Sequence, residues 1–188
     1  EVLLPILKER LQIQAQNKQS SVIFLHIIGS HGPTYFLRVP KDKKVFFPTC
    51  ERGDIENCSR EEIVNAYDNT LVYTDYILSE VIKILEPYQQ NFGTGLFYIS
   101  DHGESLGEMG LYLHGTPYSI APDEQKYVPM MAYFSNSFIE DHNMDLNCLE
   151  NESKLSFSQD NFFHSILGIL DVNTSFYNEK QDLFLKCR

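Results

Sequence analysis

Positive charge is scarce in this chain: 15 Lys and Arg stand against 26 Asp and Glu, a formal net charge of −11 at pH 7. That balance argues against non-specific binding to nucleic acid. It also means that an anionic substrate has to be held by local cations rather than by the field of the whole molecule. No apolar run approaches the roughly 18–20 residues that cross a bilayer, and the opening Glu1-Val2-Leu3-Leu4-Pro5 is neither a signal peptide nor an initiator methionine. The chain therefore reads as a piece of a longer polypeptide and is silent about any membrane segment of its parent. Cysteine is sparse, four in 188 residues, with no CxxC and no Cys/His pattern of zinc-finger spacing, so structural zinc is not expected. Also missing are a Gly-x-Ser-x-Gly elbow, a glycine-rich phosphate loop and a Ser or Thr standing at a strand end as an obvious nucleophile.

What remains is an ordinary globular composition, 43% apolar and 22% charged, in a length sufficient for one domain with a real core. Cys50 and Cys58 bracket the polar loop 51–57 and are placed for a short disulfide, which implies an oxidising compartment. Cys148 and Cys187 could pair with each other, but their separation supports neither outcome.

Apolar residues at helical spacing predict a helix over 2–16. Residues 21–28 (SVIFLHII) read as a central strand covered on both faces, with His26 as a satisfied core histidine. A long irregular stretch from about 29 to 60 follows, of a length that in a compact domain is usually functional. Ser59 and Glu62 form the capping-box pattern at the start of a helix that Pro87 closes. Strands are expected at 96–100 and 128–134, an exposed acidic loop at about 140–153, and a short helix at 160–170 with Phe162, Phe163, Ile166 and Leu167 facing inward. Strand–helix–strand alternation makes the class α/β, with at least a partly parallel sheet.

The chemistry concentrates in Ser100-Asp101-His102-Gly103-Glu104-Ser105-Leu106-Gly107-Glu108, with His114 six residues on. Asp101 and His102 stand where a strand gives way to a loop, the edge at which open α/β sheets bind ligands. Carboxylate plus imidazole suits Zn²⁺ or a similar divalent ion. His31, after the strand at 21–28, and His114 each precede a glycine as His102 does, and each could instead be a turn histidine satisfied by backbone. Glu104 is a candidate to orient a ligand, contact substrate or hold a second ion; a loop carboxylate bonded to backbone N–H groups is the plainer alternative. The run Arg38 to Lys44 could attract phosphate head groups, or be a solvated face. Two ligands alone fall short of a catalytic zinc set.

These residues, read with Leu25 to Tyr35, Phe47-Pro48-Thr49-Cys50, Asn65 to Thr70, Tyr73-Thr74-Asp75, Tyr98 to Tyr118 and Ala121 to Gln125, resemble the phosphoethanolamine transferases of the alkaline-phosphatase/sulfatase superfamily. The likeness runs in the family's order over nearly the whole chain. It implies a mostly parallel central sheet with helices on both faces, of which residues 1–188 are the C-terminal portion of a periplasmic catalytic domain. It implies that Asp101 and His102 are zinc ligands and that His31 and His114 face the phosphate or hold a second zinc. The remaining ligands and a nucleophilic threonine would lie upstream of residue 1. Cys50–Cys58 matches a family disulfide. The implied activity is transfer of phosphoethanolamine from phosphatidylethanolamine to lipid A or lipopolysaccharide core through a phospho-threonine, conferring resistance to polymyxin. The place would be the periplasmic face of the bacterial inner membrane, reached through helices outside this chain. A sulfatase- or phosphatase-like hydrolase of the same superfamily, and a non-catalytic domain on a decayed metal site, are the alternatives.

Overall fold

The computed structural model describes residues 1–188. These divide into two compact units, residues 1–87 with 99–130, and residues 88–98 with 131–188.

In the first unit, α1 (Leu3–Asn17) ends at Lys18 in the left-handed region. α2 (Arg60–Leu85) starts as its sequence requires: Ser59 accepts from the Glu62 backbone N–H while the Glu62 carboxylate accepts from Ser59 N–H. Its buried positions Ile63, Ala66, Thr70, Ile77 and Val81 recur every three, four or seven residues, which gives one face to the core. That core gathers Tyr35, Cys50, Ile55, Ile63 and Ala66, with Cys58, Tyr67, Leu106 and Leu113 packed on it. It fastens the long loop between α1 and α2 onto α2 and onto a small antiparallel hairpin, β2 (Ser105–Leu106) with β3 (Tyr112–Leu113). The long loop is irregular as expected, broken only by single 3₁₀ turns at Tyr35–Leu37, Lys41–Lys43 and Ile55–Asn57.

The expected strand at 21–28 does not form: the segment carries no strand assignment, although its burial alternates, with residues 23, 25 and 27 half-buried and 22, 24, 26 and 28 exposed. A strand is completed by a ladder partner, and none pairs with this one. His26 is accordingly exposed, not a core residue.

β1 (Gly95–Ile99) pairs with β4 (Met130–Phe134). Ser135 N–H donates to Thr94 O, and Ser100 N–H to Pro129 O, so partner numbers fall as strand numbers rise and the pair is antiparallel. Both pairs formed here are thus antiparallel, and the parallel strands of the expected sheet are not among them.

The second unit corrects the expected loop at 140–153, which folds as two short helices, α4 (Asn136–Asp141) and α5 (Leu146–Glu152). Their starts are set by caps: Ser135 accepts from Phe138 N–H, and Asp145 from Asn147 and Cys148 N–H. α6 (Asp160–Ile169) follows as expected, but Phe163 on it faces solvent. A four-residue helix in the first unit, α3 (Asp123–Lys126), completes the set. Disulfides join Cys50 to Cys58 and Cys148 to Cys187, Cα separations 5.8 Å and 5.5 Å.

Candidate metal centre

Three segments of the first unit deliver the site. His31 leaves the long loop just before the buried Tyr35, His102 follows β1, and His114 follows β3. One ligand nitrogen from each of His31, His102 and His114 lies within 4.8 Å of the others. The rings of His102 and His114 are 3.9 Å apart between centroids, and those of His31 and His114 are 4.9 Å apart.

Every one of these rings is held by Nδ1. His31 Nδ1 meets Gly32 O at 2.7 Å, His102 Nδ1 meets Gly103 O at 3.0 Å, and His114 Nδ1 meets Glu104 Oε1 at 3.0 Å. An oxygen at Nδ1 places the proton there and leaves the Nε2 lone pair outward, the arrangement by which proteins prepare imidazoles for a metal. Nitrogen donors on tetrahedral zinc lie on the order of 3.4 Å apart, from Zn–N distances of about 2.0–2.1 Å. With all three ligand nitrogens inside 4.8 Å, an imidazole set of this kind fits a divalent, borderline-soft ion.

Glu104 organises the group. It is buried, and its carboxylate accepts from Gly32 N–H at 3.1 Å, from Tyr35 O–H at 3.2 Å and from His114 Nδ1 at 3.0 Å. Its bond to His114 Nδ1 is what an orienting carboxylate makes, and its bond to Gly32 N–H is what a carboxylate held by the backbone makes. Burial, then the charge and hydrogen bond of Glu104, push the Tyr35 phenol far above its ordinary pKa, so it stays a donor. Glu108 is spent on the loop: it accepts from Leu106 N–H at 2.6 Å and from Arg60 at 3.0 Å. Its burial acts to raise its pKa, but these bonds outweigh it and hold the carboxyl below the usual range.

Asp101 stands apart from the three histidines. Its side chain is 84% exposed, Oδ1 accepts from His102 N–H at 3.1 Å, and Oδ2 lies 3.9 Å from His102 Nε2. It lies beside His102 alone, outside the three-histidine group. Gly103 is required by close approach: a Cβ there would overlap the Glu124 carbonyl oxygen, whose neighbour Gln125 O accepts from Gly103 N–H at 3.1 Å.

Three residues within motifs or runs already quoted take supporting places that the sequence does not specify. Tyr35 is buried against the Glu104 carboxylate. Gln125 donates to Ser105 Oγ at 2.8 Å and accepts from Thr116 N–H, tying the loop after His114 to β2. Arg38 Nε donates to His31 O at 3.2 Å, which sets a guanidinium beside the site.

Residues 2–172 match the Sulfatase family. The chain belongs to that family. It is 50% identical over 172 residues to the phosphoethanolamine transferase EptA of Salmonella typhimurium, a match covering 91% of this chain and 31% of that protein. Among solved structures it superposes with TM-score 0.91 and 39% identity on the integral membrane protein lipooligosaccharide phosphoethanolamine transferase A (EptA) of Neisseria meningitidis. That match covers 97% of this chain and 34% of the other. The C-terminal periplasmic domain of phosphoethanolamine transferase EptC from Campylobacter jejuni gives TM-score 0.81 and 43% identity, covering 96% of this chain and 59% of that one. These neighbours establish the sulfatase-like α/β fold. The sulfatase-family chain spans about a third of the length of the curated relative, 31%. None of its helices is long and apolar enough to cross a membrane.

Proposed function

We propose that this sulfatase-family chain is the C-terminal portion of the catalytic domain of a zinc-dependent phosphoethanolamine transferase. It takes the group from phosphatidylethanolamine and delivers it to lipid A or lipopolysaccharide core at the periplasmic face of the inner membrane, which confers resistance to polymyxin. The observation that carries this reading is the convergence of His31, His102 and His114 with each Nδ1 already occupied, in a chain 50% identical to a phosphoethanolamine transferase.

Asp101 and His102 would hold one zinc, and His31 and His114 would face the phosphate or a second ion. Zinc, when bound, neutralises phosphate oxygens and lowers the pKa of an attacking hydroxyl. The nucleophile belongs to a threonine upstream of residue 1: its oxygen attacks phosphorus, the bond from phosphorus to the diacylglycerol oxygen breaks, and that oxygen takes a proton. An acceptor oxygen on lipopolysaccharide then attacks the same phosphorus and releases the threonine. Glu104 holds the proton at His114 Nδ1, so Nε2, if it holds no ion, would take the proton of the attacking hydroxyl and pass it to the leaving oxygen.

The full-length protein tests this through its zinc content and the product formed from phosphatidylethanolamine, alongside Asp101→Asn and His102→Ala. Modified lipopolysaccharide and bound zinc in the parent, both lost in folded variants, are expected. Free phosphoethanolamine as the sole product would identify a hydrolase instead. Indifferent variants would leave only a structural role.

A further inference from the structure

Residues 37–47 (LRVPKDKKVFF) invert the character of the chain around them. Four cations, Arg38, Lys41, Lys43 and Lys44, accompany one acid, Asp42, in a protein of net charge −11. Between and beside them the apolar side chains of Leu37, Val45 and Phe47 are 66%, 61% and 64% exposed, and Phe46 is exposed as well.

This exposure is enforced. Asn69 of α2, itself buried, accepts from Val45 N–H at 2.6 Å and Phe46 N–H at 2.9 Å, and donates to Phe46 O at 2.9 Å. Asn65 donates to Pro48 O, and Cys50 N–H donates to Glu62 O. Val39, at the other end, is buried. A loop pinned at this many points holds its aromatic tip out from residues 1–188. Lys44 is engaged with Glu51 at 3.0 Å, while Lys43, lying over the Tyr76 ring at 4.2 Å, keeps its charge without an acid partner there; with Arg38 and Lys41 it makes the positive rim of the tip.

We propose that residues 37–47 form a docking tip for a lipid surface bearing anionic head groups. Leu37, Val45, Phe46 and Phe47 would enter the head-group boundary, and Arg38, Lys41 and Lys43 would meet the phosphates. Apolar and aromatic side chains ringed by cations are what such an interface binds; the cations call for an anionic occupant, and the four exposed apolar side chains beside them favour lipid over the polar surface of an acidic protein. The proposal stands independently of the transfer chemistry, since the surface and its binding need neither metal nor nucleophile.

The chain contains no tryptophan, so Phe47→Trp supplies a single fluorescent reporter, with Leu37→Trp as a second should the first not fold. With vesicles containing phosphatidylglycerol, emission should shift to the blue and be quenched by brominated acyl chains, with an affinity that falls as salt rises. Pure phosphatidylcholine vesicles should bind much more weakly. Lys41→Gln with Lys43→Gln should lower partitioning by about fivefold per charge removed. A reporter variant with native far-UV circular dichroism that stays unquenched on anionic vesicles overturns the proposal. Equal binding by the neutralised double variant overturns it too.

Discussion

Glu104 is the residue on which the site turns, because one carboxylate serves three donors from three segments. Gly32 N–H lies in the long loop, Tyr35 O–H in the core, and His114 Nδ1 after the hairpin. Glu104→Ala leaves the buried Gly32 N–H and Tyr35 O–H without an acceptor, a loss of about 2 kcal/mol or more at 1–3 kcal/mol per stranded group, while the more exposed His114 Nδ1 can turn to water. Glu104→Gln keeps the shape but can offer an N–H to at most one side, and costs less. Denaturant unfolding should order the proteins parent, Gln, Ala, and zinc affinity should follow the same order because His114 loses its orientation. A second residue reports on the other unit. Tyr177 O–H donates to Asp182 at 2.6 Å, and burial, then that bond and the Asp182 charge, raise its pKa to about 12, against the pull of Arg188. An unfolded tyrosine titrates near 10, so the folded state keeps this proton longer. Its contribution to stability is therefore whole below about pH 10 and is lost as pH rises through 12. Absorbance at 295 nm should show a late-titrating phenol that disappears in Tyr177→Phe.

At the scale of elements, α2 does more than pack: its inner face carries polar residues that shape the loop opposite. Asn69 is buried and makes three bonds to Val45 and Phe46, while Thr70 bonds Ser30 beside His31 at 2.6 Å. Asn69→Ala should cost about 2–3 kcal/mol, the price of stranded backbone groups. It should also speed amide exchange at residues 45 and 46 while α2 itself stays protected, which hydrogen-exchange mass spectrometry resolves. The same helix shows what sequence conveys and what it does not. Its start is written locally in Ser59 and Glu62, and its face in a 3.6-residue rhythm, so both are legible. The partnership of Asn69 with Val45 spans 24 residues and leaves no periodic trace. α4 and α5 were hidden for another reason: they are too short and polar for a rhythm, and Ser135 and Asp145 alone announce them. Residues 21–28 show the reverse failure, since β-rich composition is local while a strand requires a partner. The three His-Gly pairs are legible in the sequence, but that their rings converge without Asp101, and that Glu104 ties Gly32, Tyr35 and His114 together, depends on contacts between residues far apart in the chain.

At the scale of the molecule, each unit carries one disulfide, and the two differ in what they restrain. Cys50–Cys58 closes a loop of sequence separation 8 inside a region already held by the core around Tyr35, Ile55 and Ile63. Cys148–Cys187 spans 39 residues and ties α5 to the C-terminal segment, where Asp145 N–H also donates to Cys187 O at 2.8 Å. On the chain-entropy view, closing the longer loop removes more freedom from the unfolded state. The expected contributions are about 2.5 kcal/mol for the first and about 4 kcal/mol for the second. Serine pairs at each position separate them. The Cys148/Cys187 variant should lose more stability in denaturant, with early exchange confined to residues 131–188. The Cys50/Cys58 variant should loosen residues 50–58 first and disturb zinc binding only as that loop shifts Tyr35. If both variants melted together and to the same extent, the two cross-links would be restraining one cooperative body rather than two.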